Sequence, residues 1–213
     1  MRFADRREAG QMLAQEIKGK DYQDVLILAV PRGGVVVAQP IARELKAPLD
    51  LIIPRKLGAP SNPELAIGAV APDGGALLLQ GYERFGLSQD SLKRLIEKET
   101  SEIRRRMNAY RGDRPMPETA GKTVILVDDG IATGFTVEAG IQYLRRQPVK
   151  KLVLAVPVAP PDTIERLRPQ VDEIVCLQTP SEFYAVGQFY RDFSQTTDQE
   201  VIEILKGFGA EGH

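Results

Sequence analysis

The sequence predicts an α/β fold built on a doubly wound, mainly parallel sheet, and three observations predict it. Apolar, β-branched runs recur at Val25–Val30 (VLILAV), Thr123–Val127 (TVILV) and Lys151–Val156 (KLVLAV). Continuous rather than alternating runs belong to strands buried on both faces. Helical patterns fill the intervals between them. Polar, glycine-containing or charged stretches follow three of the strands: Arg32-Gly33-Gly34, Arg55-Lys56 and Asp128-Asp129. In open α/β sheets a ligand binds at the carboxyl ends of the strands, where the winding reverses.

Each element has its own reason. Residues 4–18 form an amphipathic helix, with Ala9, Leu13 and Ile17 on one face and Arg6, Arg7 and Glu16 elsewhere. After the strand Val25–Val30, a helical stretch runs to about Lys46, where Pro40 implies a kink or a late start. Leu49–Pro54 (LDLIIP) is a strand, and Leu57–Pro63 (LGAPSNP) reads as an irregular loop. Leu65–Ala71 and Ala76–Gln80 form a hairpin across Pro-Asp-Gly-Gly. Residues 88–110 make the longest helix, capped by Ser88 or Ser91. Its Arg104-Arg105-Arg106 run is read as a solvated face. Residues 111–119 are a linker into the central strand. A helix follows from about Val137 to Arg146, then the strand Lys151–Val156, a short helix Pro161–Leu167 and a strand Glu173–Leu177. The stretch 179–196 carries Phe183, Tyr184, Phe189, Tyr190 and Phe193 around Gly187. Thr197–Glu200 is a capping box opening a last helix that Gly207 closes. The expected core holds Val25, Leu26, Leu28, Ile52, Val124, Ile125, Leu126, Leu152 and Leu154.

Composition bounds the function. With 213 residues and a net charge of −1, nothing pulls the chain as a whole towards nucleic acid or an anionic membrane. The one cysteine, Cys176, has no disulfide partner and is read as a small buried hydrophobe. The one histidine, His213, is the last residue, which removes Ser-His triads and histidine-based metal sites. No apolar run reaches membrane length and MRFADRREAG is not a signal peptide, so a cytoplasmic location is expected.

The chemistry centres on Thr123–Thr136, TVILVDDGIATGFT. A buried strand that runs through a Gly/Thr loop into a helix delivers backbone N–H groups to one point, and the helix dipole adds positive charge there. Thr133 and Thr136 supply hydroxyl donors, and Gly134 lets the backbone come close. Such a loop suits a phosphate. Asp128 and Asp129 repel a phosphate and suit its neighbour, a ribose diol or Mg²⁺. Two adjacent acids exceed what a single helix cap requires.

This stretch resembles the 5-phosphoribosyl-1-pyrophosphate (PRPP) signature of the type I phosphoribosyltransferases, and more broadly the bacterial group of predicted phosphoribosyltransferases. That signature has four hydrophobic residues, two acids, two usually aliphatic residues, a small one and T-G-x-T. The resemblance covers nearly the whole chain and least of all residues 81–117. It implies one domain over 1–213, with a helical insert at about 81–117 and a hood at about 179–196. It also implies a sheet of order 3-2-1-4-5-6 with strand three antiparallel. Arg32-Gly33 resembles the family's short pyrophosphate loop, which often holds a non-proline cis peptide before the glycine. Arg55 and Lys56 resemble a basic pair that contacts pyrophosphate. FYAVGQFYRDF, residues 183–193, is similar to the hood of the purine enzymes, with Phe183, Tyr184 and Val186 against the acceptor.

The reaction implied is displacement of pyrophosphate from PRPP by a nitrogen acceptor, with Mg²⁺ as cofactor. Ala132, Thr133, Gly134, Phe135 and Thr136 would hold the 5-phosphate. Arg32, Gly33, Gly34, Arg55 and Lys56 would hold pyrophosphate, and Asp128 and Asp129 the ribose and metal, with Asp192 also able to reach the metal. Two positions depart from the pattern: Gly130 replaces an aliphatic residue, and Ala132 stands where hypoxanthine-guanine enzymes carry an acid. A PRPP-binding regulator on the same fold is the competing expectation. PRPP and a small-molecule acceptor are the expected partners, without nucleic acid or membrane, and a homodimer is compatible with the family.

Overall fold

The structure is a computed structural model that describes residues 2–60, 62–112 and 114–209. Five strands form the main sheet: β1 (Val25–Ala29), β2 (Leu49–Leu51), β6 (Thr123–Val127), β7 (Lys151–Val158) and β8 (Glu173–Gln178). Their order is β2-β1-β6-β7-β8 and every pairing is parallel. The other three strands, β3 (Arg55–Ala59), β4 (Asn62–Val70) and β5 (Ala76–Leu78), make a separate antiparallel sheet. The expected antiparallel strand is therefore found in this second sheet and not at the edge of the first.

The strands bury both faces, as their unbroken apolar runs require. Ile27, Ala29, Ile125, Val127, Val153 and Ala155 point into a core shared with α1 (Arg6–Lys18), α2 (Gly33–Leu45) and α6 (Asp198–Gly209). Leu26, Leu28, Val124, Leu126, Leu152, Leu154 and Val156 face α4 (Phe135–Arg145) and α5 (Pro161–Leu167). Of the expected core residues only Val25 is half-buried. The winding reverses between β1 and β6: α2 leaves one face and α4 the other, so a crevice opens at their carboxyl ends.

Local details follow from caps and close approaches. Asp5 caps α1 by accepting the Glu8 N–H at 2.8 Å, and Ser88 caps α3 (Gln89–Arg111) by accepting from Ser91 at 3.2 Å. Helix α2 starts at Gly33 and continues through Pro40, which excludes a late start. A Cβ on Gly10 would lie 2.4 Å from the Val37 carbonyl oxygen and 3.1 Å from Pro40 Cγ, so α1 needs a glycine to press against α2. Arg105 and Arg106 both pair with Glu102, consistent with a solvated face.

Four local expectations change. Most of the stretch expected as a loop at 57–63 is strand, because β3 and β4 pair around a register shift at Leu57–Ala59. Arg55 and Lys56 open β3 instead of trailing β2. Helix α6 runs past Gly207 to Gly209. Cys176 is half-buried, its thiol pushed up by burial. His213 lies outside the described residues. Among the described residues no helix is long and apolar enough to cross a membrane.

Candidate active site

The site is built at the β1–β6 seam. Ala29 lies beside Val127, and the Val30 N–H donates to the Val127 carbonyl at 2.9 Å, so the segments after both strands leave side by side. One is Pro31-Arg32-Gly33-Gly34, with a cis peptide between Pro31 and Arg32, one bond earlier than a cis bond at Arg32-Gly33. The other is Asp128-Asp129. A Cβ on Gly33 would sit 1.9 Å from Asp129 Oδ2, and one on Gly34 would sit 2.9 Å from the Val127 carbonyl oxygen. Gly34 is thus required by the nearby backbone, while a side chain at Gly33 would displace the Asp129 carboxylate and Arg6.

The acids are held in different ways. Asp128 Oδ1 accepts the Asp129 backbone N–H at 2.8 Å. Asp129 Oδ2 accepts from Arg6 Nε at 2.7 Å, and the Asp129 carbonyl accepts from the Tyr190 hydroxyl at 2.5 Å. Burial pushes both carboxyls up. Repulsion from Asp129 adds to the rise at Asp128, while Arg6 opposes the rise at Asp129.

Beyond the acids, Ile131 N–H donates to the Val158 carbonyl at 2.9 Å, which ties the loop to β7. Gly134, at φ +79°, opens α4 at Phe135, two residues before the expected helix. The first N–H groups of a helix have no partner within it, so those at the start of α4 are available to an anion. The carbonyls of the loop are turned to α5: Thr163 Oγ1 donates to the Ala132 carbonyl at 2.9 Å, and Arg166 donates to the Thr133 carbonyl. Arg166 also pairs with the buried carboxylate of Glu138, which accepts from Gln170 as well.

The hood closes from the other side. Its short turn Val186–Phe189 puts Val186 over Gly130, where a Cβ would lie 2.4 Å from Val186 Cγ1 and 3.1 Å from Val158 Cγ1. The space of the missing aliphatic side chain is filled by the hood. Gln188 Oε1 accepts the N–H groups of Tyr184 and Ala185, at 2.8 and 3.1 Å, and shapes the turn. The chain before α1 is bound to the hood through Phe3 N–H to the Phe189 carbonyl and Arg191 N–H to the Phe3 carbonyl, both 2.8 Å.

The predicted residues do not all share this crevice. Gly33, Gly34, Asp128 and Asp129 meet there. Arg32 reaches towards Asp198 of α6 at 3.4 Å, and Tyr110 donates to the same oxygen at 2.7 Å. Arg55 is paired with Glu99 of α3, and Lys56 is exposed on β3. Phe183 packs on Phe189 with ring centroids 5.0 Å apart, while Tyr184 is 87% exposed. Asp192 is exposed at the rim, where its carboxylate accepts the Ser194 N–H at 2.9 Å.

Sequence reasoning missed Arg6 and Arg166. A basic residue on the polar side of an amphipathic helix carries no local sign of a distant partner.

Comparison with known proteins decides the family. The model of the phosphoribosyl transferase domain matches residues 5–194. The chain belongs to the phosphoribosyl transferase family. Two proteins from the CDC 1551 and H37Rv strains of Mycobacterium tuberculosis, each named "Putative phosphoribosyl transferase", are 43% identical to it over 207 residues. Those alignments cover 95% of this chain and 46% of each relative, so the chain spans about half their length. The crystal structure of TT1426 from Thermus thermophilus is 41% identical, with TM-score 0.83 over 98% of this chain and 99% of that one. AQ2163 of Aquifex aeolicus shares the fold at 13% identity, with TM-score 0.51 over 85% of this chain and 78% of that one.

Proposed function

We propose that this phosphoribosyl transferase domain moves the phosphoribosyl group of PRPP to a nitrogen acceptor and releases pyrophosphate, with residues 1–213 acting as one unit. The observation that carries the reading is the diacid at the end of β6, set against Gly33 on one side and followed by the loop that opens α4. A phosphate on the α4 N-terminus puts the attached ribose beside Asp128 and Asp129, whose carboxylates accept its two hydroxyls.

In the reaction the acceptor nitrogen gives its lone pair to C1 of the ribose, and the C1–O bond breaks with its electron pair leaving on pyrophosphate. The acceptor proton passes to solvent or to a base on the acceptor side. Positive charge grows on the sugar, and the carboxylates face it in a partly dry crevice. The N–H groups of Ala132–Thr136 fix the 5-phosphate, and so the position of C1. Backbone of Gly33 and Gly34 lies beside the diacid, and a diphosphate that approaches this loop meets the Arg6–Asp129 pair. Arg32 is nearest in sequence to that point and already half free, since its pair with Asp198 is long. Arg55 contributes only if it exchanges Glu99 for the ligand, and Lys56 is exposed beside it on β3.

The residues fit Mg²⁺, which takes oxygen ligands and is commonly held by one or two carboxylates plus substrate phosphates. Asp128 and Asp129 would be those carboxylates, directly or through water. Among the described residues no cluster of three or more His, Cys, Asp or Glu could hold a metal by itself. When bound, the ion offsets the charge of the departing pyrophosphate.

Incubation with PRPP, Mg²⁺ and a panel of bases, following pyrophosphate, tests the reading. Acceptor-dependent release is expected. Thermal stabilisation by PRPP without release from any acceptor would replace the transferase with a PRPP-binding regulator. Neither release nor stabilisation would remove both.

A further inference from the structure

Resting on the sugar-diphosphate reading of the site, we propose that Arg6 is a positioning residue: an internal counter-cation that holds Asp129 in the ligand-free protein and keeps free divalent metal off the diacid. Metal then enters together with the diphosphate and not ahead of it.

Three contacts fix the guanidinium. Nε donates to Asp129 Oδ2 at 2.7 Å, Nη1 donates to the Ser194 carbonyl at 2.7 Å, and the plane lies over the Phe193 ring at 3.9 Å from its centre. Planarity, a forked donor set and weak hydration suit arginine to a half-dry position of this kind. The Arg6 and Asp129 side chains are 12% and 17% exposed, so solvent screens the pair poorly. The approach is rigid. Asp5 caps α1 directly before Arg6, and the Asp192 N–H donates to the Ala4 carbonyl at 2.9 Å. A Cβ on Gly33 would come within 2.5 Å of Arg6 Nε, so the pyrophosphate-side loop leaves room for the ion pair itself.

This geometry serves a purpose other than stability, because a buried arginine–carboxylate pair roughly breaks even against its desolvation. It changes what the diacid presents. Two acids alone carry two negative charges and would bind a divalent ion; with Arg6 in place the net charge is one, and Asp129 Oδ2 is occupied. A bare metal ion approaching that oxygen meets a fixed positive charge. A metal ion already chelated by a diphosphate brings negative charge of its own and needs fewer protein ligands. Asp128 and the second oxygen of Asp129 remain for the ribose hydroxyls.

The test is Mn²⁺ binding to the protein without PRPP, read from the electron paramagnetic resonance signal of the free ion. The parent should bind weakly. Arg6→Gln should bind at least about tenfold more tightly, since it removes a unit charge next to a buried carboxylate. Arg6→Lys should return near the parent, and Arg6→Gln combined with Asp129→Asn should lose the gain. Equal affinity in parent and Arg6→Gln overturns the proposal, as does Arg6→Lys binding as tightly as Arg6→Gln. If Arg6→Gln does not fold by circular dichroism, Phe193→Leu loosens the guanidinium while keeping both charges. Tighter Mn²⁺ binding is then expected, and no tightening overturns the idea. The readout needs no turnover: the Mn²⁺ pattern without pyrophosphate release keeps the role of Arg6 and rejects the transferase.

Discussion

Gly130→Ala tests whether the hood and the diacid loop are fitted to each other. The added Cβ would stand 2.4 Å from Val186 Cγ1 and 3.1 Å from Val158 Cγ1, against the roughly 3.5–4.0 Å of ordinary carbon contact. Val158 is fully buried on β7 and cannot yield, so the hood turn carrying Val186 must move by about 1 Å. The φ of Gly130, +154°, adds strain for any other residue. Overpacking of this kind costs about 1–3 kcal/mol. In a chain of this size that lowers the melting temperature by roughly 2–12 °C. Truncating the neighbour should relieve it: in Gly130→Ala with Val186→Ala, the melting temperature should recover beyond the sum of the single changes, because the residues touch. Calorimetric melts of the four proteins measure this directly. A Gly130→Ala protein that melts with the parent, or strictly additive changes, would refute the packing argument.

Asp128→Asn should raise stability and lower activity. Burial lifts the Asp128 carboxyl above its ordinary 3.8, so between that value and the raised one the native state holds more protons than the unfolded chain. Stability therefore falls as pH rises through this window. The gain from Asn should be absent below pH 4 and grow as pH rises through that window, while PRPP turnover drops by orders of magnitude; a pH-independent gain in melting temperature would contradict it. Arg111→Met should cost about 3–5 kcal/mol, because it strands the Asp50 carboxylate that Arg111 holds through two bonds of 2.6 and 2.7 Å, and Asp50→Asn beside it should recover part of the loss in urea unfolding. Hypoxanthine and guanine should be poor acceptors, since Ala132 offers only a methyl group where a carboxylate could draw off the ring proton. Losing such a base costs about 10²- to 10⁴-fold, and hypoxanthine turning over faster than adenine, orotate, uracil and simple amines would sink the assignment.

The sheet was legible because its signal is local. VLILAV, TVILV and KLVLAV can lie nowhere but between two layers, and a parallel order follows from the helices that separate them. The second sheet was only half legible. Leu57–Pro63 has the composition of a loop, and what makes Leu57–Ala59 and Asn62 strand is pairing across a shifted register, a tertiary gain that outweighs propensity. Arg111 was hidden for a related reason. It reads as the first residue of a linker, yet it ends α3 and closes over Asp50 of β2, 61 residues away in sequence.

At the site, the readable residues are those whose chemistry needs neighbours in sequence: adjacent acids, a glycine pair, a Gly/Thr loop ahead of a helix. The unread residues are cations that arrive singly from other elements, Arg6 from α1 and Arg166 from α5. A site for a phosphorylated sugar has to present N–H groups to anions and carboxylates to hydroxyls within a few ångströms, and unpaired carboxylates there would repel both each other and the ligand. One strand–loop–helix unit can supply the donors and the acids together, and so it leaves a motif. The compensating charges cannot come from that same unit without blocking the loop, so they come from α1 and α5. On the proposed function, the motif determines where the ligand binds, while Arg6 and Arg166 reach its acid and its loop carbonyl from elements that carry no trace of the motif.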